Sequence, residues 1–476
     1  PLKVAKYGIS STISVVQDEL LETMREYHSE KRGLPYSGIG KDVVDFRAKR
    51  VTAYLNLINK LVQEEAGATG IQPGRIDVNI MSKLDSLRLG TPIPYGANPD
   101  FYRDAVSAFR GYANSDLSNS RIILSAGAPT NMLGTIGDFA DIMKGKGQSI
   151  ALKVSDARSA SILGRKIAKK GGRISEYRIE GGLLCGGHAF GTKGVLLHEI
   201  LAEASGKRDS LPFMDQGCEL NYQGGITNYD HIEWLKQFDI DGIGIGTPWM
   251  IVPEVVDLDS ETEKILIGAS PCDVVLSNAS PLGLPFWNIM DLPSERERMK
   301  RNATGDLGAI CKYGHLRLTE VDGEQVCLAS RQGAKRALDS GKFDLERLKE
   351  YSCICGDLGG AALKALGIEK KTAPAACPGR NISYFSKTAT INELLQHFRG
   401  EIDLTDGPVP TLPEMDLVMQ IEQLEENVKN NIPKSDQFKE NIRRGIGSMR
   451  VDPTLVDILD KEEVSKLEAR LERIAA

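Results

Sequence analysis

Residues 180–191, Glu-Gly-Gly-Leu-Leu-Cys-Gly-Gly-His-Ala-Phe-Gly, are the most informative stretch of the chain. They follow Tyr177–Ile179, a short apolar segment that is typical of a buried strand. Glycine has no Cβ and lets the backbone approach a ligand closely, and histidine moves protons near neutral pH. His188 is therefore the candidate catalytic residue, and Gly187, directly before it, is a candidate cofactor-binding residue. The alternative is a tight turn that carries a structural histidine.

Two later segments have the same form, an apolar strand that closes with glycine. They are Leu220–Ile226 and Asp239–Thr247, and a helix signal separates them. Neighbouring strand ends of this kind suit a phosphate bound by backbone N–H groups and a helix N-terminus. The candidate phosphate ligands are Gly224, Gly225, Gly246 and Thr247. The alternative is that these glycines only pack closely in the wall of a sheet.

Strands and helices alternate from Arg75 onward, which favours a parallel α/β fold. A phosphate site after the last two strands is typical of a (β/α)8 barrel. We therefore predict a TIM barrel with a helical N-terminal extension, in which Ile13–Tyr27 reads as a helix, a cysteine-rich insert and a helical C-terminal region. The predicted boundaries are 1–70 for the helical N-terminal region, 71–300 for the barrel, 301–390 for the cysteine-rich region and 391–476 for the helical C-terminal region.

The order of these segments resembles the nitronate monooxygenase and 2-nitropropane dioxygenase family of FMN-dependent TIM barrels, which includes flavin-dependent enoyl reductases. Roughly residues 70–290 carry the resemblance. The matching motifs are Cys185-Gly-Gly-His188, Gly224-Gly-Ile226 and Gly246-Thr-Pro-Trp249, with weaker matches at Val78–Met81, Ser125–Pro129 and Ser280–Pro285. The family's opening Gln-Gly-Gly-Met strand is absent, and Ile9–Ser14 stands in its place.

The resemblance implies an FMN-dependent oxidoreductase, either nitronate monooxygenase-like or an NAD(P)H-dependent reductase, with His188 as the proton-transfer residue beside the flavin. Asn79 would contact the flavin ring, or else cap its strand. Lys153 would stabilise the anionic edge of a reduced flavin, or else be a solvated strand-end lysine. Glu180 would bond a ribityl hydroxyl, or else begin the turn. The partners would be a small-molecule substrate and either NAD(P)H or an electron-transfer protein.

The second half of the chain is rich in cysteine. Cysteine near glycine or proline is common around iron–sulfur clusters, where backbone N–H groups reach the sulfurs. The cysteines are either free thiols or the ligands of a 4Fe-4S cluster or a zinc ion. The candidate metal ligands are Cys311, Cys327, Cys353, Cys355 and Cys377.

Composition narrows the function. The net charge of −6 gives no basic surface for nucleic acid. The sequence shows no apolar run of about 18 residues for a membrane and no signal core, so we predict a soluble cytoplasmic protein. The charged C-terminal helices would cover the barrel or build a homo-oligomer interface. Two alternatives stay open: a flavin-free barrel enzyme that binds a phosphorylated metabolite, and a non-catalytic subunit that binds partners.

Overall fold

The fold is taken from a computed structural model, which describes residues 2–82, 85–88, 90–256, 258–311, 313–368, 373–452 and 459–474, with Thr130 described by its backbone alone. The strands are β1 Ser11–Ser14, β2 Ile76–Asn79, β3 Arg121–Ser125, β4 Ser149–Val154, β5 Ile174–Glu180, β6 Glu219–Gln223, β7 Gly242–Gly244, β8 Val274–Ser277, β9 Phe286–Ile289, β10 Thr319–Val321 and β11 Glu324–Val326.

The helices lie mostly between these strands and after them. They are α1 Asp18–Lys31, α2 Phe46–Thr69, α3 Asp104–Asn114, α4 Thr130–Gly145, α5 Ala157–Lys169, α6 Leu197–Gly206, α7 Tyr229–Lys236, α8 Ser260–Ile267, α9 Pro293–Ala303, α10 Arg331–Asp339, α11 Leu345–Glu350, α12 Ile354–Ala365, α13 Ile391–His397, α14 Leu412–Lys429, α15 Ser435–Val451 and α16 Lys461–Arg473. Within the described chain, none of them is long and apolar enough to cross a membrane.

The central sheet contains β1 to β7 in sequence order, and every neighbouring pair is parallel. Parallel strands added one after another, each joined to the next through helix, form the wall of a barrel rather than a doubly wound sheet. The predicted α/β barrel-type fold is confirmed, with seven strands in the described part of the sheet.

One prediction in the N-terminal region was wrong. The apolar spacing of Ile13–Tyr27 predicted a helix from Ile13, but Ser11–Ser14 is β1, and Ile13 pairs with Val78 of β2. The helix begins only at Asp18. Pairing with β2 overrides the helical spacing of the apolar residues here, because the strand completes one edge of the sheet. The N-terminal region is thus part of the barrel wall.

The two faces of the sheet differ in chemistry. One face carries fully buried apolar side chains such as Ile150 and Tyr177, which pack towards α5 near Gly164 and Gly172. The opposite face of β3 to β6 is polar. Near its amino edge, Arg121 binds Glu176 at 2.7 Å and Glu219 at 2.7 Å. The pKa of Glu176 falls to about 2: burial acts to raise it, but the charges of Arg178 and Arg121 outweigh that. These ion pairs form a fixed polar network at the amino edge of the sheet.

Two antiparallel hairpins flank the barrel. Hairpin β8–β9 lies against the chain that follows β5, where His188 forms a bridge with Phe286. Hairpin β10–β11 belongs to the cysteine-rich region, which has a small apolar core of its own around Val321, Cys327 and Leu348. Val16 and Met81, which follow β1 and β2, pack against that core. The cysteine-rich region therefore lies over the carboxyl edge of the sheet.

Candidate active site

The carboxyl ends of β4, β5 and β6 bring together three polar side chains on the polar face of the sheet. Lys153 Nζ lies 2.8 Å from Glu180 Oε1, and Gln223 Nε2 donates to the same oxygen at 2.8 Å. The Lys153 side chain keeps 22% of its surface exposed and Glu180 keeps 12%. Parallel strands in register align these positions, since Lys153 stands beside Arg178 and Glu180 beside Gln223. The result is a half-buried polar row at the edge where barrel enzymes hold their ligands.

Asn79 ends β2 on the same edge. Its side-chain Oδ1 accepts a hydrogen bond from the backbone N–H of Met81 at 3.1 Å, and Met81 has a φ of 43°. The side chain therefore holds a tight turn directly after the strand, which is the capping role that the sequence left open. Beside it, the Oγ atoms of Ser82 and Ser125 lie 2.8 Å apart.

His188 is half-buried and has a defined orientation. Its Nε2 lies 2.6 Å from the Oγ of Ser280, and its ring packs edge-on against Phe286 at 5.0 Å. Ser280 is only 1% exposed, and its Oγ also accepts from the backbone N–H of Leu282 at 3.2 Å. Gly187 has a φ of 73°, and its carbonyl accepts from Trp287 N–H at 2.9 Å. The left-handed glycine and hairpin β8–β9 together fix the histidine.

The glycine ends of β5 and β7 contact residues 377–381. A Cβ on Gly186 would lie 2.7 Å from the carbonyl oxygen of Cys377 and 2.8 Å from the nitrogen of Gly379. Gly187 N–H donates to the Cys377 carbonyl at 3.0 Å, and Gly379 N–H donates to the Thr247 hydroxyl at 2.9 Å. The backbone N–H of Gly187 and the hydroxyl oxygen of Thr247, two of the candidate ligand-binding groups, therefore engage residues 377–379, the first as a donor and the second as an acceptor.

Of the three other candidate glycines, Gly246 has an open backbone, whereas Gly225 is buried against Leu184 and Gly224 packs against Cys185. Gly224 and Gly225 have φ values of 128° and 67°, which other residues rarely adopt. Gly246 is exposed, and a Cβ there would meet no atom within 4 Å. Next to Gly224, Cys185 is buried, and burial raises the pKa of its thiol to about 12, with a further rise from Glu180. Cys185 is a neutral packing residue, and the accessible backbone of this edge is at Gly246.

A second polar cluster follows β1 and β2 on the same edge and consists of buried ion pairs. Asp18 binds Arg88 at 2.5 Å and Arg50 at 2.8 Å. Asp104 binds Arg47 at 2.6 Å and Arg88 at 3.1 Å. Asp18 is 1% exposed and Arg47 4%. Burial acts to raise the pKa of Asp18, but Arg88, Arg47 and Arg50 lower it below the usual range. The cluster holds the start of α1 against the chain that follows β2.

The five candidate metal ligands divide into two groups. Cys377 lies beside Gly187, with its Sγ 3.8 Å from where a Gly187 Cβ would be. The other four influence one another: the charges of Cys311 and Cys327 each raise the pKa of Cys353 and of Cys355, after the larger effect of burial. Among the described residues, no three His, Cys, Asp or Glu side chains are arranged to hold a metal ion.

Three contacts of this edge were not predicted from the sequence, although Ser280 and Cys377 belong to segments that the sequence singled out. Gln223 continues the inward row Glu219, Asn221, Gln223, and the period of two along β6 would have revealed it. Ser280 lies 92 positions from His188 and residues 377–381 lie 132 positions from Thr247. No local pattern signals contacts at such separations.

No protein-family model matches the chain, and no curated protein matches its sequence significantly. Solved structures give weak likenesses. FabK from Thermotoga maritima aligns at a TM-score of 0.42 and 13% identity, over 72% of this chain and 80% of its own. The nitroalkane oxidase of Streptomyces ansochromogenes aligns at a TM-score of 0.40 and 12% identity, over 84% of this chain and 90% of its own. Likenesses at this level do not establish a function.

Proposed function

We propose that the chain is an FMN-dependent oxidoreductase that acts on a small molecule at the carboxyl edge of β4 to β7. The proposal rests on two features that occur together at this edge, glycine backbone and a row of polar side chains. Glycine backbone at two neighbouring strand ends, Gly224-Gly225 and Gly246, lies beside the polar row of Lys153, Glu180 and Gln223. A flavin mononucleotide needs one phosphate site and a polar surface for its ribityl chain and ring.

The described residues fit a phosphate in part. Successive backbone N–H groups around left-handed glycines form concavities that bind anions, and Gly224-Gly225 has this conformation. Gly246 leaves space on the neighbouring strand end. The Thr247 hydroxyl accepts the Gly379 N–H and keeps its own proton to donate to a phosphate oxygen. The phosphate would therefore rest on the exposed backbone at Gly246, beside the half-buried Gly224 at the end of the neighbouring strand.

The flavin, when bound, supplies the hydride or electron chemistry. The protein's own part is proton transfer and orientation. His188 holds or moves a proton at Nε2, and Ser280 fixes the ring through the 2.6 Å contact. Lys153 and Glu180 form an ion pair beside the site at 2.8 Å. The substrate class is a nitronate or an enoyl compound, with NAD(P)H or an electron-transfer protein as redox partner.

Gly246→Glu tests the phosphate site. Its φ of −119° suits any residue and its Cβ position is open, so the fold should be kept. The added carboxylate should repel the FMN phosphate and raise the Kd at least about tenfold, or ~1.4 kcal/mol. Calorimetric titration of flavin-free protein measures this. The matched control is Gly447→Glu. This position of α15 is exposed and equally open, so the substitution should leave the Kd unchanged.

Titration with riboflavin and with inorganic phosphate separates the alternatives. Binding of FMN well above riboflavin, lost in Gly246→Glu, supports the proposal. Binding of phosphate compounds without any flavin would favour a flavin-free enzyme of phosphorylated metabolites. If purified protein neither carries nor takes up FMN, the proposed function is wrong.

A further inference from the structure

Trp287 of β9 holds both ends of the short segment that leads to His188. Its indole N–H donates to the carbonyl of Leu183 at 2.8 Å, and its backbone N–H donates to the carbonyl of Gly187 at 2.9 Å. Trp287 is only 1% exposed, so both bonds are shielded from water. The position of this one residue therefore sets where the backbone directly before His188 lies.

Arg380 covers the ring of Trp287. Its guanidinium carbon lies 5.3 Å from the centre of that ring, a distance at which a cation and an aromatic face attract each other. The same guanidinium binds a carboxylate of α14, since its Nη2 lies 2.7 Å from Oε2 of Glu422. The guanidinium is thus held between a helix and the indole of Trp287.

The backbone that carries Arg380 is anchored on both sides of it. Gly379 N–H donates to the Thr247 hydroxyl at 2.9 Å, and the side-chain amide of Asn381 donates to the carbonyl of Ile226 at 3.1 Å. Arg380 therefore reaches Trp287 from a segment that is fixed to the chain just after β6 and β7. This arrangement connects the carboxyl edge of the sheet to hairpin β8–β9.

Arginine is an unfavourable choice for a position that only fills space. The Arg380 side chain keeps 17% of its surface exposed, and its Nε is buried without a hydrogen-bond partner among the described residues. A buried polar group without a partner costs free energy, and an apolar side chain of similar volume often stabilises a fold as well as a buried ion pair does. What arginine adds is orientation, because its planar guanidinium can stack on a ring while it binds a carboxylate.

We propose that Arg380 is a positioning residue for His188 and acts through Trp287. The inference rests on the proposed function, in which His188 transfers the proton. Phe286, the neighbour of Trp287 in β9, packs edge-on against the His188 ring, and Ser280 in the hairpin loop contacts Nε2. A shift of Trp287 would move both contacts. A displacement of about 1 Å at a reacting group can cost about 10²-fold in rate, even when the substituted residue touches no reacting atom.

Turnover of flavin-loaded Arg380→Gln, with the nitronate or enoyl compound that the wild type uses, tests the proposal. We expect kcat to fall about 10- to 100-fold, with KM and the Kd for FMN within about threefold of the wild type. Arg380→Lys keeps the charge but not the planar fork, so its kcat should lie between the two. Arg470→Gln is the matched control and should keep the wild-type kcat, because Arg470 also binds a glutamate of α14, with Nε 2.6 Å from Glu425 Oε1.

A double-mutant cycle with Trp287→Phe tests whether Arg380 acts through Trp287. Phenylalanine keeps the backbone bond to Gly187 but removes the indole bond to Leu183. In the Trp287→Phe protein, Arg380→Gln should therefore lower kcat by no more than about twofold further. Full multiplication of the two losses would overturn the proposal, and so would an unchanged kcat in Arg380→Gln.

Backbone hydrogen exchange gives a readout that needs no flavin. The N–H groups of Trp287 and Ala189 join the hairpin to the segment around His188. Their exchange should be at least about tenfold faster in Arg380→Gln than in the wild type or in Arg470→Gln. Exchange equal to that of the wild type would overturn the positioning role even in flavin-free protein. A wild type that binds no FMN and turns over none of these compounds would instead refute the proposed function, so the two failures are distinguishable.

Discussion

The carboxyl edge of the sheet is built in two different ways at its two sides. After β5 to β7 it is made of backbone, with glycines at 186, 187, 224, 225 and 246, and residues 377–379 contact Gly186 and Gly187. After β1 and β2 it is made of buried charges, Asp18 and Asp104 with Arg47, Arg50 and Arg88. The backbone side leaves room for a ligand at Gly246, whereas the charged side is filled by its own ion pairs. We therefore place function on the first side and structure on the second.

Substitution of His188 by asparagine should have the largest effect on activity. Loss of a general acid or base costs about 10²–10⁴-fold in rate, and the asparagine amide, which is polar and uncharged, cannot take up or release the proton. Flavin content and thermal stability should stay near those of the wild type. The measurement is flavin reoxidation, followed by stopped flow with a screen of nitronates, quinones and enoyl thioesters.

His198→Asn is the control for this prediction. His198 is also buried and also contacts a serine, with Nε2 2.8 Å from Ser448 Oγ, but it lies on α6 against α15. The His198→Asn variant should be less stable than the wild type but should turn over substrate at a similar rate. Turnover of His188→Asn within a few-fold of the wild type would show that His188 is structural. Lys153 would then be the next candidate for proton transfer.

Substitution of Asp18 by asparagine should have the largest effect on stability. It leaves the guanidinium groups of Arg50 and Arg88 without a full counter-charge in a buried site, and breaking a buried ion pair costs about 3–5 kcal/mol. Urea unfolding measures the loss. Glu462→Gln removes an exposed partner of Lys466 and should cost at most ~1 kcal/mol. A similar small loss for both variants would mean that the charged side is not the structural side.

The sequence reveals the backbone side well and the charged side poorly. Glycine ends of strands are local patterns, so Gly224, Gly225 and Gly246 could be located from the sequence, and so could the alternation that predicts the α/β fold. The charged side joins Asp18, Arg47, Arg88 and Asp104 from four segments, and no local period encodes such pairing. The strand Ser11–Ser14 was missed for the same reason, since only its partner β2 defines it. Residues 377–381 could not be placed, because their contacts with Gly187 and Thr247 span the fold.

A comparison of Gly186→Ala with Gly246→Ala tests whether the first position is packed against residues 377–379 while the second is open. A Cβ at position 186 would lie 2.7 Å from backbone oxygen of Cys377, whereas position 246 is open. Gly186→Ala should destabilise the protein by about 1–3 kcal/mol through overpacking, and Gly246→Ala should stay within about 0.5 kcal/mol. Urea unfolding gives both values. Equal values would show that residues 377–379 are not seated on Gly186.

The smallest expected effect concerns His315, which lies at the charged side. It is 2% exposed, stacks on Tyr313 at 5.7 Å, and neither ring nitrogen has a hydrogen-bond partner among the described residues. Burial, and after it the charge of Arg88, lowers its pKa to about 4. The other charged groups that act on it are Asp104, Asp18, Arg47 and Glu19.

The sign of the resulting pH effect follows from proton uptake. An unfolded histidine, with a pKa near 6.5, takes up a proton as the pH falls below that value, whereas the folded one does so only near 4. Stability is therefore complete above about pH 6.5 and falls towards pH 4. Between pH 7 and pH 5, His315 should remove roughly 1–2 kcal/mol. His315→Phe keeps the ring on Tyr313, sacrifices no hydrogen bond and cannot titrate, so its stability should fall by that much less over the same range. Urea unfolding of both proteins at the two pH values measures the difference, and parallel losses would show that His315 is hydrated and titrates normally.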